Sequence, residues 1–182
     1  APVSPSPSAA QAVEGSPIRK VGVVGAGVMG AGIAAHVANA GVPVVLLDIV
    51  PGGAAKAVER MLRADPAPFM GKAPARLVQT GDLDGGGLQM LADCDWIVEA
   101  IVERPDAKRD LYARLEDVRK PGSIVSSNTS TIPLAALTQG LGENFARDFL
   151  ITHCFNPPRY MRLLELVRGP ATRPDALEAI AA

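Results

Sequence analysis

Short apolar runs alternate along this chain with segments of helical spacing and with clusters of turn-forming residues. Val21–Val24 and Val44–Leu47 contain no polar residue, the signature of strands covered on both faces of a parallel sheet. Leu77–Thr80, Asp95–Val102 (running into a loop), Ser123–Ser126, Phe149–Phe155 and Leu163–Val167 predict further strands. Between them, Met29–Ala40 predicts a helix whose Ala31, Ala34, Ala35 and Ala38 keep it slim against the sheet. Gly52–Arg63 predicts a second helix. A third starts at Pro105, where proline suits a first turn, and runs to Lys120 with Leu111, Leu115 and Val118 as its apolar stripe. Pro133 opens a short helix with Thr131 as its expected cap, and Pro174–Ala182 begins a last one. Asp65–Arg76, broken by three prolines and Gly71, is expected to be irregular, and Gly81-Asp82 to be a turn.

Strands alternating with helices predict an α/β fold, a doubly wound, mostly parallel sheet with helices on both faces. Ligands of such sheets gather beyond the carboxyl ends of the strands. That rule brings Gly25–Gly30, Asp48, Ala100–Glu103, Ser127–Thr131 and His153 to one edge. Residues 1–17, rich in Pro, Ser and Ala, read as a flexible arm or linker before a single domain over 18–182.

Composition narrows the function classes. With 18 basic and 19 acidic residues in 182, no charge excess points to nucleic acid or an anionic membrane. No apolar run approaches the roughly 20 residues that span a bilayer. Two cysteines, Cys94 and Cys154, make no disulfide framework and no metal spacing, so no metal is expected and a reducing, cytoplasmic compartment is.

The chemistry begins at Gly25, Gly27 and Gly30, in G-x-G-x-x-G spacing between a strand and a helix. The first glycine makes the tight turn, the second admits a pyrophosphate to the backbone, and the third lets helix and strand pack closely. The helix N-terminus adds unpaired N–H groups and partial positive charge. Asp48 ends the next strand, about 20 residues on, where an acid hydrogen-bonds the adenosine ribose. It repels a 2′-phosphate, and no arginine follows it, so NAD is favoured over NADP.

Two further residues invite pairing. His153 lies near a strand end and Glu165 inside the apolar run LLELV. A carboxylate buried there needs a partner, and one from Glu165 would fix the His153 tautomer and aim its other nitrogen at a substrate. The alternative is a core histidine and an edge glutamate. Ser130 and Asn128 lie on the loop expected near the nicotinamide, where they could bind a substrate oxygen and the cofactor amide or ribose, or simply form the turn.

GAGVMGAGIAAHVANAG, Asp48, WIVEAIVE, SSNTST and HCFNPPRYMRLLELV together resemble the NAD-binding, Rossmann-like domain of the L-3-hydroxyacyl-CoA dehydrogenases of fatty-acid β-oxidation, over about 18–182. The opening segment also resembles long bifunctional members that carry an enoyl-CoA hydratase region. The resemblance implies that Gly25, Gly27, Val28, Met29 and Gly30 form the pyrophosphate turn and Asp48 holds the ribose. It puts Glu103, Lys108 and Asn128 at the nicotinamide end. Ser130 would bind the 3-oxygen of the substrate, and His153 would be the general base paired with Glu165. Asn156 would hold the active-site turn against the substrate. It also implies an acyl-CoA substrate and a homodimer formed through a helical C-terminal domain, which this sequence lacks, so that the chain alone would turn over poorly. Cys154 stands where the family has a second aromatic residue, and the broken segment after Asp48 carries over no coenzyme A contact. A dehydrogenase of a small hydroxy acid without coenzyme A, and a non-catalytic NAD-binding module, are the alternatives.

Overall fold

The computed structural model describes residues 16–182, so the expected arm lies almost wholly outside the described residues. Val21–Val24 forms an interior strand, β1, buried along its whole length. Its parallel neighbours are β2 (Val44–Asp48) and β4 (Trp96–Glu99), with Val23 opposite Leu46 on one side and Val98 on the other. β3 (Val78–Asp82) lies beyond β2, while β5 (Ile124–Ser127) and β6 (Phe149–Cys154) continue beyond β4. β7 (Leu164–Arg168) closes that side, antiparallel to β6. The order β3-β2-β1-β4-β5-β6-β7 puts the reversal of strand order between β1 and β4.

Both faces are covered, as unbroken apolar strands require. One face packs Val23, Val44 and Leu46 against α1 (Val28–Asn39) and α2 (Gly53–Arg63). The other packs Val24, Val45 and Leu47 with α4 (Pro105–Val118) through Leu111, Tyr112 and Leu115. Ala31, Ala34, Ala35 and Ala38 are buried in α1, as their spacing predicts.

Four local expectations are corrected. A single helical turn, α3 (Lys72–Ala75), forms within the segment expected to be irregular. β3 continues through Gly81 and Asp82, expected as a turn, because those residues pair with Leu47 and Asp48 of β2. The helix after Pro133, α5 (Leu134–Thr138), has no side-chain cap; the Thr131 hydroxyl donates instead to Glu103. A short helix absent from the sequence reading, α6 (Glu143–Asp148), leads directly into β6.

The last helix, α7 (Pro174–Ala181), is tied to the sheet by charge as well as by Ala176. Asp148 accepts from Arg173 Nε at 2.6 Å and from Arg119 Nη1 at 2.9 Å, with its own side chain 11% exposed. Asp148→Ala leaves two guanidinium groups without their shared acid. Breaking so buried a network is expected to cost roughly 3–5 kcal/mol, read as a lower urea midpoint.

Candidate functional site

At the crossover between β1 and β4 the three glycines meet three different surroundings. Gly25 has φ +105°, and a Cβ on it would lie 2.3 Å from the Ala100 carbonyl oxygen. At Gly30 a Cβ would lie 1.8 Å from the Gly25 oxygen. Around Gly27 it would meet nothing within 4 Å. The first and third glycines are therefore packing requirements, while the middle one borders open space. α1 begins immediately after it, with Gly27 in the N-cap position and no side chain capping the turn.

Two clefts meet over Gly27. One, of about 540 Å³, runs past Asp48, Ile49, Leu83 and Val102. The other, of about 450 Å³, is walled by Val28, Met29, Glu103, Asn128, Ser130, His153 and Asn156. Asp48 is fixed where β2 ends: Ala26 N–H donates to its Oδ2 at 3.2 Å and Val50 N–H to its Oδ1 at 3.3 Å. The open space over the glycine turn, the helix start and the acid at the far side fit a dinucleotide lying across both clefts.

His153, on the wall of the second cleft, and Glu165 occupy paired positions on β6 and β7. Their Nδ1 and Oε2 are 3.0 Å apart. Phe155 packs its ring 4.6 Å from the imidazole, centroid to centroid, the two rings tilted by 56°. Asn128 accepts the Cys154 N–H at 2.9 Å, which ties the β5 loop to β6 beside the histidine. Cys154 shares this wall, but burial pushes its thiol up to about 11, so it is neutral and unreactive near pH 7. His36 sits exposed on α1.

Two placements differ from the sequence reading. Glu165 is not buried: its side chain is 53% exposed, because β7 is an edge strand with four of five residues exposed. Its pairing follows from strand register instead. Lys108, expected beside the cofactor, borders neither cleft; its side chain is 1% exposed. Its ammonium lies 2.5 Å from Glu99 and 3.0 Å from Glu103, which alone of the three reaches the cleft wall. The sequence reading missed Glu99, which is fully buried in β4. The signal was there, since a glutamate within WIVEA calls for the same partner search that was applied to LLELV. Phe155 and Thr129 were also missed, and no residue pattern singles them out.

The comparisons agree with this geometry. Residues 20–182 match the family model for the 3-hydroxyacyl-CoA dehydrogenase NAD binding domain. A probable 3-hydroxyacyl-CoA dehydrogenase of Deinococcus radiodurans is 49% identical over 168 residues, covering 88% of this chain and 48% of that protein. One of Bacillus subtilis is 39% identical over 186 residues, covering 91% of this chain and 23% of that protein. Among solved structures, a 3-hydroxybutyryl-CoA dehydrogenase of Escherichia coli K12 superposes with TM-score 0.77 at 29% identity, over 88% of this chain and 34% of that one. The chain thus spans about half the length of the first relative and about a quarter of the second. A glycine turn packed for one backbone path, an acid at the end of the next strand and a family match over nearly the whole described length lead to one assignment: this chain belongs to the 3-hydroxyacyl-CoA dehydrogenase family, as its NAD-binding domain.

Proposed function

We propose that the full-length protein oxidises an L-3-hydroxyacyl-CoA to the 3-ketoacyl-CoA with NAD, as a step of fatty-acid β-oxidation. The observation that carries this reading is the His153–Glu165 pair, 3.0 Å apart, whose histidine shares a cleft wall with Ser130 and Asn128. With Nδ1–H donated to the Glu165 carboxylate, Nε2 keeps its lone pair and can take the proton of the 3-hydroxyl group. The carboxylate then stabilises the imidazolium. Ser130 donates to the 3-oxygen, and Asn128, its carbonyl already used by Cys154, offers its NH₂ group to cofactor or substrate. Asn156 borders the same space beyond the histidine. Gly27 and the start of α1 would hold the pyrophosphate, and Asp48 the ribose. Bound NAD supplies the hydride acceptor.

Among the described residues no helix is long and apolar enough to cross a membrane. The free thiols of Cys94 and Cys154 support a reducing, cytoplasmic setting. Dimerisation through a helical region outside these residues belongs to the same reading, and the sedimentation of the full-length protein tests it.

The direct test is the full-length protein with acetoacetyl-CoA and NADH, beside free acetoacetate. Turnover of the thioester alone supports the proposal; turnover of the free acid alone favours a dehydrogenase without coenzyme A. Asp48→Ser should weaken NAD binding roughly ten- to hundredfold, the worth of a hydrogen bond to a charged group. Because the repulsion of a 2′-phosphate also goes, NADP should lose far less, and calorimetry with both cofactors reads the difference.

A further inference from the structure

The turn that follows β6 and carries Asn156 has little of its own to hold it. Pro157 and Pro158 bring no N–H group, and the turn closes on the Pro157 carbonyl, which accepts from Tyr160 N–H and Met161 N–H at 3.0 Å each. Its place is set from outside. Pro158 is buried against α1 at Gly32, where a Cβ would lie 3.0 Å from the proline Cδ. From the other side the turn grips residues 65–70. Arg159 Nη1 donates to the Ala67 carbonyl at 2.6 Å and the Phe69 carbonyl at 2.9 Å, and the Tyr160 hydroxyl donates to the Ala67 carbonyl at 2.8 Å. That segment is itself moored to the end of α1. Asn39 donates to the Pro68 carbonyl at 2.9 Å and accepts the Met70 N–H at 2.8 Å, while Phe69 is buried in the core formed with α1 and α2.

Asn156 stands in a partition between two spaces. With Gly27 and Val28 it belongs to the wall of the second cleft and also to a smaller, mostly apolar cavity of about 190 Å³, lined by Met61, Pro66, Pro68, Pro158 and Tyr160. Asn156 and Pro157 are both exposed, so no packing of their own keeps them there. A guanidinium aimed at two backbone carbonyls suits this task. Bonds from a charged donor are about twice as strong as neutral ones, and one NH₂ group reaching two acceptors fixes direction as well as distance. The acceptors lie on a segment stiffened by Pro66 and Pro68, whose rings fix φ, so the anchor does not simply follow the turn.

Resting on the dehydrogenase reading above, we propose that Arg159 is a positioning residue: by clamping the turn after β6 to residues 65–70, it holds Asn156 at the substrate cleft and keeps that cleft apart from the smaller cavity. The path runs from Asn39 at the end of α1, through the carbonyls of Ala67 and Phe69, to an arginine 92 and 90 residues farther along the chain. A displacement near 1 Å of a group that meets the substrate is worth on the order of a hundredfold in rate.

The test compares Arg159→Met, which removes the clamp, with Asn39→Ala, which frees residues 65–70 at their far end and leaves the turn itself intact. Both are made in the full-length protein, with and without Asn156→Ala, and assayed with acetoacetyl-CoA and NADH. Expected for Arg159→Met is a kcat/KM for acetoacetyl-CoA lower by about ten- to hundredfold, and for Asn39→Ala a smaller loss in the same direction. NADH binding by fluorescence titration should be unchanged in both, and the effect of Asn156→Ala should shrink in either background. In Asn39→Ala, amide exchange at Tyr160 should also quicken although its acceptor, the Pro157 carbonyl, is untouched. A purely structural role would lower the melting temperature and leave the kcat/KM of the folded protein and the Asn156→Ala effect as they are, which overturns the proposal. A loss in Arg159→Met with Asn39→Ala at the parent level overturns it too, since the guanidinium would then act on the substrate directly. Should Arg159→Met fail to fold, Asn39→Ala and Tyr160→Phe decide, the latter losing only the hydroxyl bond to Ala67. If Asn156→Ala has no effect in an active parent, the positioning inference fails alone. An inactive parent instead removes the dehydrogenase reading, and the inference goes with it.

Discussion

His153→Ala in the full-length protein is expected to lower kcat for acetoacetyl-CoA reduction by a hundred- to ten-thousandfold, the range of a positioned general acid–base. NADH binding should be unchanged, because the imidazole stands on β6 and touches no part of the glycine turn. The partial substitution is as informative. Glu165→Gln keeps a hydrogen-bonding group near Nδ1 but removes the charge that stabilises the imidazolium, so a smaller fall is expected. The side chain of Glu165 is half exposed and the pair lies at a sheet edge, so water screens part of its effect. Unchanged turnover in His153→Ala ends the mechanistic reading and leaves the NAD-binding domain in place.

The second large effect divides between two glycines. Gly30→Ala should destabilise the protein by about 1–3 kcal/mol or more, the usual cost of forcing a methyl group into packed surroundings. The high end is expected here, because the new Cβ would meet the Gly25 carbonyl oxygen at 1.8 Å and that oxygen is backbone. Either α1 moves off the sheet or the turn opens, and both deform the cofactor site. Gly27→Ala should behave in the opposite way. Its Cβ enters open space, so the melting temperature should hold while NAD affinity falls, since the proposed binding mode brings the pyrophosphate into that space. Thermal melts and NAD titrations of the two variants separate packing from binding. Loss of both properties in Gly27→Ala contradicts the open-space assignment.

Much of the fold was legible because its signals are local. Four-residue apolar runs, the alanine stripe of α1 and the proline at the start of α4 each dictate conformation through their own neighbours. The glycine turn belongs to this group, and each of its three glycines meets the surroundings its spacing predicts. The less legible pieces were small ones. α3 and α6 are four and six residues long, too short to show a helical period. The continuation of β3 through Gly81 depends on its pairing with β2 and not on its own residues.

The site divides along the same line. His153 and Glu165 were singled out together, but on the premise that Glu165 is buried, and that premise does not hold. The truly buried acid is Glu99, on β4, three strands inward from the edge strand β7 that carries Glu165. From composition the two are alike, each a glutamate among branched apolar residues. Their difference lies in strand order, which closes the sheet around β4 and leaves β7 at its margin.

By itself, then, the sequence determined the alternation of strands and helices, the phosphate turn and the acid at the end of β2. These follow from side-chain shape and backbone freedom within a few residues. Only the tertiary structure decided which charges are buried, that Lys108 stands behind the cleft, and that Thr129 and Thr131 hold the loop around Ser130. Burial and ion pairing depend on what lies across the sheet, and that is set by contacts between residues 26 to 28 positions apart or by the order in which strands assemble.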